Sequence, residues 1–290
     1  MISRKKLNLK DEGILLLLAL PGLAGLLIFY VLPFIISFYY TLIDNNVTKN
    51  FVGLNNFIEL FTSGAFTLGL KNTGIFMAIC VPLNMIFPLA MALLLHKTGK
   101  LKSLFGLIFL LPLVIPSGSV AHFWKSIFGV NGLINGAFFP AAPVNWLDTS
   151  LSRTLITGVF IWKNAGYNMI LFLAGLKSIP KEYYECAAVE GAGALSQFFR
   201  ITLVYISPTA FLVFIMSIIN SFKSFKEIYL ICGAYPHQSI YMLQHYMNNQ
   251  FAAVNYQKLS SAAYVLSIII IVLLVLIYHL HNKNVNSLQG

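Results

Sequence analysis

Six apolar stretches of roughly 20 residues or longer organise the chain, at 13–42, 72–95, 103–124, 154–176, 203–222 and 262–280. A bilayer core of about 30 Å takes about 20 helical residues to cross, and a lone strand would leave its backbone unpaired there. The pattern therefore predicts six transmembrane helices in a single membrane domain over about 13–282, an all-α membrane protein with residues 1–12 as an amino-terminal tail. Prolines 21, 33, 82, 88, 112, 116 and 208 lie inside these stretches. They predict kinks rather than ends, because neighbouring groups in a membrane bundle re-satisfy the freed carbonyls. The first stretch follows Arg4-Lys5-Lys6 but is too long for a signal-peptide core, so it is expected to be a retained anchor.

Composition agrees with that pattern. Of 290 residues, 58% are hydrophobic and 10% charged, against the quarter or so of charged residues in soluble domains. Three cysteines without paired spacing exclude a disulfide-framed secreted fold. The net charge of +10 is mostly a topology signal. Eleven basic residues (Arg4, Lys5, Lys6, Lys10, Lys97, Lys100, Lys102, Lys177, Lys181, Arg200, Lys283) fall on the side of the amino terminus and seven on the other. By the positive-inside rule both termini are expected in the cytoplasm, and no nucleic-acid partner is implied.

Energy sources are conspicuously missing. All nine acidic residues fall outside the six stretches as read from sequence, whereas ion-coupled carriers place carboxylates within the bilayer. There is no phosphate-binding loop of the G-x-x-x-x-G-K-[ST] type, no H-E-x-x-H and no G-x-S-x-G. The six histidines show no metal-binding pair. Catalytic residues, a metal site and a bound cofactor are not expected, and uphill transport would need an energy source on another subunit.

The segment 177–202, between the fourth and fifth stretches, is predicted to hold a short helix. Pro180 suits a first turn, Glu182 suits the amino-terminal dipole, and Gly191 supplies a stop. Tyr184, Ala187, Ala188 and Gly191 share one face at i, i+3, i+4 and i+7, with Glu185 and Glu190 beside it. Periodicity alone leaves two readings open, an amphipathic helix lying on the membrane surface or a small-residue face for another protein.

Residue order adds a resemblance. Glu185-Cys186-Ala187, then Gly191, then Ile201-Thr202-Leu203 at the usual spacing, resembles the EAA loop of permease subunits of bacterial ATP-binding-cassette (ABC) importers. Cys186 stands for the middle residue of the Glu-Ala-Ala pattern, its first Ala, and Val204 for a Pro, so Pro208 is expected to supply the kink. The similarity runs along most of the chain and is greatest to the maltose- and glycerol-phosphate-type sugar branch. It is carried by Phe51-Val52-Gly53-Leu54-Asn55-Asn56-Phe57, Leu70-Lys71-Asn72-Thr73, Phe109-Leu110-Leu111-Pro112, Gly132-Leu133-Ile134-Asn135 and Asn145-Trp146-Leu147. Cys232-Gly233-Ala234-Tyr235-Pro236 departs from the Gly-Gly-Gly-Pro run frequent in the family.

The resemblance implies a type I importer permease in a bacterial cytoplasmic membrane. It further implies a coupling helix containing Tyr184, Glu185, Ala187, Ala188, Glu190 and Gly191. Implied partners are a second homologous permease, two cytoplasmic ATPase domains that bind ATP and Mg, and an extracellular solute-binding protein, with a sugar as substrate. Matched to the family, the substrate would be held by Trp162, Lys163, Asn164, Tyr167 and Asn168 of the fourth stretch and Asn220, Ser221 and Ser224 after the fifth. At each position the alternative is a polar side chain bridging helices, worth about 0.6 kcal/mol. Lys163 lies roughly 14 Å inside the outer boundary and must face water, a partner or substrate. The runner-up function is a self-contained oligomeric channel for a small polar solute, which the EAA-like loop argues against.

Overall fold

The computed structural model describes residues 9–97 and 102–289; Arg4, Lys5, Lys6 and Lys100 of the topology argument lie outside them. The chain forms two compact units, one of Met1–Ser63 with Asn249–His279, the other built on Gly64–Asn248. Among the described residues the regular structure is helical, apart from one isolated bridge between Ile43 and Phe51.

In the first unit α1 (Leu9–Leu26) runs through a π-helical turn (Leu27–Val31) into α2 (Leu32–Thr41). The wide turn precedes Pro33, whose ring would otherwise crowd the carbonyl one turn back. The loop after α2 is organised by Asp44, which accepts from the Thr48 hydroxyl at 2.6 Å and the Asn50 amide N–H at 2.9 Å. The Thr48 bond, first among several, holds the Asp44 carboxyl below its ordinary range. Helix α3 (Asn55–Thr62) follows, and its buried Asn56 donates to the carbonyls of Thr41 and Ile43 at 2.9 and 2.8 Å. Those are carbonyls that the end of α2 leaves free, which gives the Asn-Asn-Phe sequence a local structural reason.

The second unit begins with α4 (Gly64–Lys97), followed by α5 (Lys102–Val114) and α6 (Ser117–Phe128). The third apolar stretch, expected as one span, is thus two helices meeting at 96°. The break falls at Ile115-Pro116, where the proline cannot donate to the preceding turn. Beyond α7 (Leu133–Phe138), Asn135 ties its loop together, donating to Val144 O at 2.7 Å and accepting from Trp146 Nε1 at 2.9 Å. Helix α8 (Ser152–Lys177) is the central element, packed on α4, α5 and α12 (Ser207–Lys223), and it stops before Pro180. Between them lie α9 (Lys181–Val189), α10 (Ala194–Gln197), a π turn (Phe198–Thr202) and α11 (Leu203–Tyr205). The helix breaks at Ile206, two residues before Pro208, so Pro208 does take the role that Val204 cannot.

Helix α13 (Phe225–Cys232) continues α12 with little interruption, and Ser207–Cys232 together are long and apolar enough for a span. Outside it, α14 (Leu243–Ala252) follows a turn that is clasped by Asn72 and Arg153. Asn72 donates to Gln238 O and Tyr241 O at 2.6 and 2.9 Å, and the Arg153 guanidinium to Ser239 O at 2.7 Å. Helix α15 (Tyr256–Gln289) closes the chain, and within the first unit its Tyr264 hydroxyl donates to Phe34 O.

Two apolar cores lie along α8. One gathers Phe76, Val120, Ile156, Val159, Phe160, Ile228 and Ile231, the other Ala92, Met169, Phe172, Leu176, Ile206 and Val213. Between them runs a polar layer. Asn168 Nδ2 donates to the Asn84 carbonyl at 3.1 Å. That carbonyl is the one that Pro88, four residues on, cannot serve. The Asn84 and Asn168 amides also reach Ser217 Oγ at 3.1 and 3.3 Å, so α4, α8 and α12 share one buried polar contact.

Helix α8 meets α5 at Gly166, where a Cβ would land on the Phe109 carbonyl. Gly166→Ala should therefore cost about 2 kcal/mol, read as a fall of several degrees in the melting of the detergent-solubilised protein. Unchanged melting would show that α5 does not rest there. His245 on α14 is buried, accepts from the Met242 N–H at 3.1 Å and packs on Phe225 and Tyr241 at 4.9 and 5.6 Å. Burial pushes its pKa down to about 4. The unfolded imidazole takes a proton near pH 6.5, so this group's stabilisation is complete above that pH and is lost as pH falls towards 4. Stability measured from pH 7 to 4 should fall less steeply in His245→Leu than in the wild type, and parallel curves would contradict the assignment.

Candidate functional site

One helical turn from the polar layer along α8 and α12 is a cavity of about 240 Å³ walled by Phe76, Phe160, Lys163, Asn164, Asn220, Lys223, Ser224 and Glu227, with apolar residues of α5, α8 and α13. Four of the eight predicted pathway residues, Lys163, Asn164, Asn220 and Ser224, are on its wall. The other four are not. Trp162 packs against Trp124 and Phe123 at 5.4 and 6.0 Å and lines a separate apolar cavity with Phe109 and Gly166. Asn168 is the helix-bridging amide described above, Ser221 donates to Ile218 O within its own helix at 2.7 Å, and Tyr167 is half-buried off the wall.

Glu227 changes the electrostatics expected from sequence. Read from the apolar pattern, it falls in an external loop, outside the spans like the other acids; in the structure it stands on the helical run Ser207–Cys232 and forms an ion pair with Lys163. The Ser117 hydroxyl donates to the same oxygen, Oε1, at 2.8 Å. Ser117 opens α6, and the 96° break before it brings a helix amino terminus, favourable for an anion, against the carboxylate. The two charged side chains are only 15% and 14% exposed, which answers the requirement that an intramembrane lysine be paired. The signal was present in the sequence: Asn220, Ser224, Glu227 and Ile231 recur at i, i+4, i+7 and i+11, a helical stripe running past Lys223.

The predicted loop helix forms as α9, with no buried residue. Its end is a Schellman stop: the Gly191 N–H donates to Ala188 O at 3.0 Å and the Ala192 N–H to Ala187 O at 2.9 Å. Gly191 has φ +79°, a conformation that side-chain-bearing residues resist. Tyr184 departs from expectation. Instead of sharing an outward face with Ala188, it turns toward the second apolar core and bonds the Thr202 hydroxyl at 2.9 Å, while Tyr183 packs against Tyr205 with tilted rings 4.8 Å apart. The tyrosines anchor α9. Glu185, Cys186, Ala188, Val189 and Glu190 stay exposed, Val189 at 90%, near Leu195 at 75% and Phe199 at 58%. Among the described residues no cluster of His, Cys, Asp and Glu could hold a metal ion.

Residues 84–287, which contain α8, α9 and most of the cavity wall, match the family described as binding-protein-dependent transport system inner membrane component. The chain is 36% identical over 220 residues to a probable ABC transporter permease protein, YesP, of Bacillus subtilis, covering 73% of this chain and 71% of that one. It is 31% identical over 239 residues to the trehalose/maltose transport system permease protein MalF of Thermococcus litoralis, covering 80% and 81%. Its fold superposes with a TM-score of 0.84 on a chain of a bacterial ABC transporter that imports the acidic polysaccharide alginate, at 22% identity and covering 94% and 96%.

The paired charges generate a stability prediction. Lys163→Met leaves Glu227 unpaired in a largely enclosed site and should cost about 2–3 kcal/mol, whereas Lys163→Met with Glu227→Leu should recover most of it. Thermal unfolding of the two variants checks this; equal losses would mean that the pair does not form.

Proposed function

The chain belongs to the family of binding-protein-dependent transport system inner membrane components, non-catalytic multi-pass permease subunits of ABC importers, and from that premise we propose how it works. It supplies half of a saccharide pathway in a bacterial cytoplasmic membrane, and a second homologous permease supplies the other half. Two cytoplasmic ATPase domains, holding ATP and Mg, drive alternating access, and an extracellular binding protein delivers the sugar. Relatives named for trehalose and maltose, and a fold neighbour that imports alginate, support a saccharide as cargo. The bias of basic residues supports cytoplasmic termini.

The observation that carries this reading is α9. An isolated short helix with no buried residue, held at one side by Tyr183 and Tyr184 and ended by a left-handed glycine, is a rigid exposed knob. Its apolar Val189, with Leu195 and Phe199 nearby, supplies contact area, and Glu185 and Glu190 supply charge for a cationic groove. Helix α8 leads into it and α12 leads away from it, so displacement of α9 by an ATPase would reach both walls of the cavity. Lys163, Asn164, Asn220 and Ser224 are the proposed sugar contacts, with the rings of Phe76 and Phe160 covering C–H faces.

Glu185→Arg reverses the charge on the knob, and Gly191→Pro imposes a φ near −65° where +79° is needed. Each should reduce ATP-driven saccharide uptake at least tenfold while the protein remains in the membrane. Normal uptake by both variants would overturn the coupling role.

A further inference from the structure

We infer that Glu227 is a specificity-determining residue, setting the charge class of saccharide that the cavity accepts by disfavouring uronate-type sugars relative to uncharged ones. The inference rests on the reading of this cavity as the sugar site. Three charged side chains are on its wall, Lys163, Lys223 and Glu227. Without Glu227 the wall would present two ammonium groups, a receptor for a sugar carboxylate. With Glu227 paired to Lys163, one of the two is cancelled at its own nitrogen. Lys223, exposed on the last turn of α12, remains the cation of the site.

The arrangement suits hydroxyls. Both contacts to Glu227, from Lys163 and Ser117, fall on Oε1, and Oε2 is the oxygen assigned to a sugar O–H. The Lys163 ammonium has three donors and uses part of them here, while the Asn164 amide nitrogen donates to Phe160 O at 2.8 Å and its oxygen is a second acceptor on a residue of the wall. An uncharged polyol thus meets a donor and an acceptor side by side. A uronate carboxylate in the same place meets a like charge a few ångströms away, and in a partly wet site that repulsion corresponds to roughly a tenfold loss of affinity. Ser117, fixed at the start of α6, keeps the carboxylate in position.

The test uses the complete transporter, with its permease partner and ATPases, in lipid nanodiscs. Binding is measured for two length-matched panels of two to five sugar units, neutral gluco-oligosaccharides and oligogalacturonates. Glu227→Gln should raise the uronate-to-neutral affinity ratio about tenfold, Lys223→Gln should lower it, and Glu227→Asp should stay near the wild type. Loosened packing cannot shift the ratio in opposite directions, and if Glu227→Gln fails to assemble, Glu227→Asp and Lys223→Gln carry the comparison. Persisting binding with an unchanged ratio in the Gln variants would overturn the inference and leave the permease reading intact. No binding of either panel by the wild-type complex would instead overturn the cavity as a saccharide site.

Discussion

A polar side chain in a membrane domain must find its partner inside the protein, and here that constraint concentrates at one level of three helices. The amides of Asn84 and Asn168 meet at Ser217, and Asn168 also serves the carbonyl that Pro88 leaves free. Next to them Lys163, Glu227 and Ser117 close a second contact that joins α8, α13 and α6. Above and below this layer the helices pack through apolar cores with few polar obligations. Each individual hydrogen bond is worth little, about 0.6 kcal/mol by analogy with other membrane bundles. What the layer contributes is position, since the Asn84 and Asn168 N–H donors reach their acceptors only when α4, α8 and α12 stand in one register.

The cavity lies next to this layer, so the groups that align the helices and the groups proposed to meet a sugar are about one turn apart on the same two helices. Asn164 is one residue from Lys163, and Asn220 is one turn from Ser217. Helix α8 carries this chemistry at its middle and, past Pro180, leads into the exposed α9. The return path through the π turn and the break at Ile206 leads into α12, the opposite wall. A push on α9 would therefore be passed to both walls through α8 and α12, across helix breaks at Pro180, at residues 190–193 and at Ile206. Gly166 sets how closely α5 can follow α8 during such a movement.

Much of this was legible in the sequence. The apolar stretches, the lone Lys163, and the Glu185-to-Gly191 spacing were enough to expect a permease subunit, and the family match agrees. The loop helix could be placed because capping signals are local: Pro180 and Gly191 act on residues next to them. What escaped was non-local. The apolar pattern stops at Phe222, but the helical run continues to Cys232 and carries Glu227, which Lys163, 64 residues earlier, neutralises. The absence of a membrane carboxylate was therefore a mistaken premise, although a paired acid is not a relay and the family assignment stands on other residues. Tyr184 was misplaced for a related reason. Helical spacing puts it on a face with Ala188, but only the fold reveals that Thr202 waits on the other side. The break at Pro116 was foreseen as a kink, yet its 96° size depends on what α6 packs against.

The central claim is that this chain provides a pathway and not the energy to drive it. Reconstitution in proteoliposomes tests it most directly, comparing saccharide accumulation by the chain with its permease partner, ATPases and binding protein against the chain alone. The account predicts accumulation against a gradient only in the complete complex and only with ATP, and no flux through the chain by itself. Saccharide flux by the isolated chain, without ATP, would contradict it.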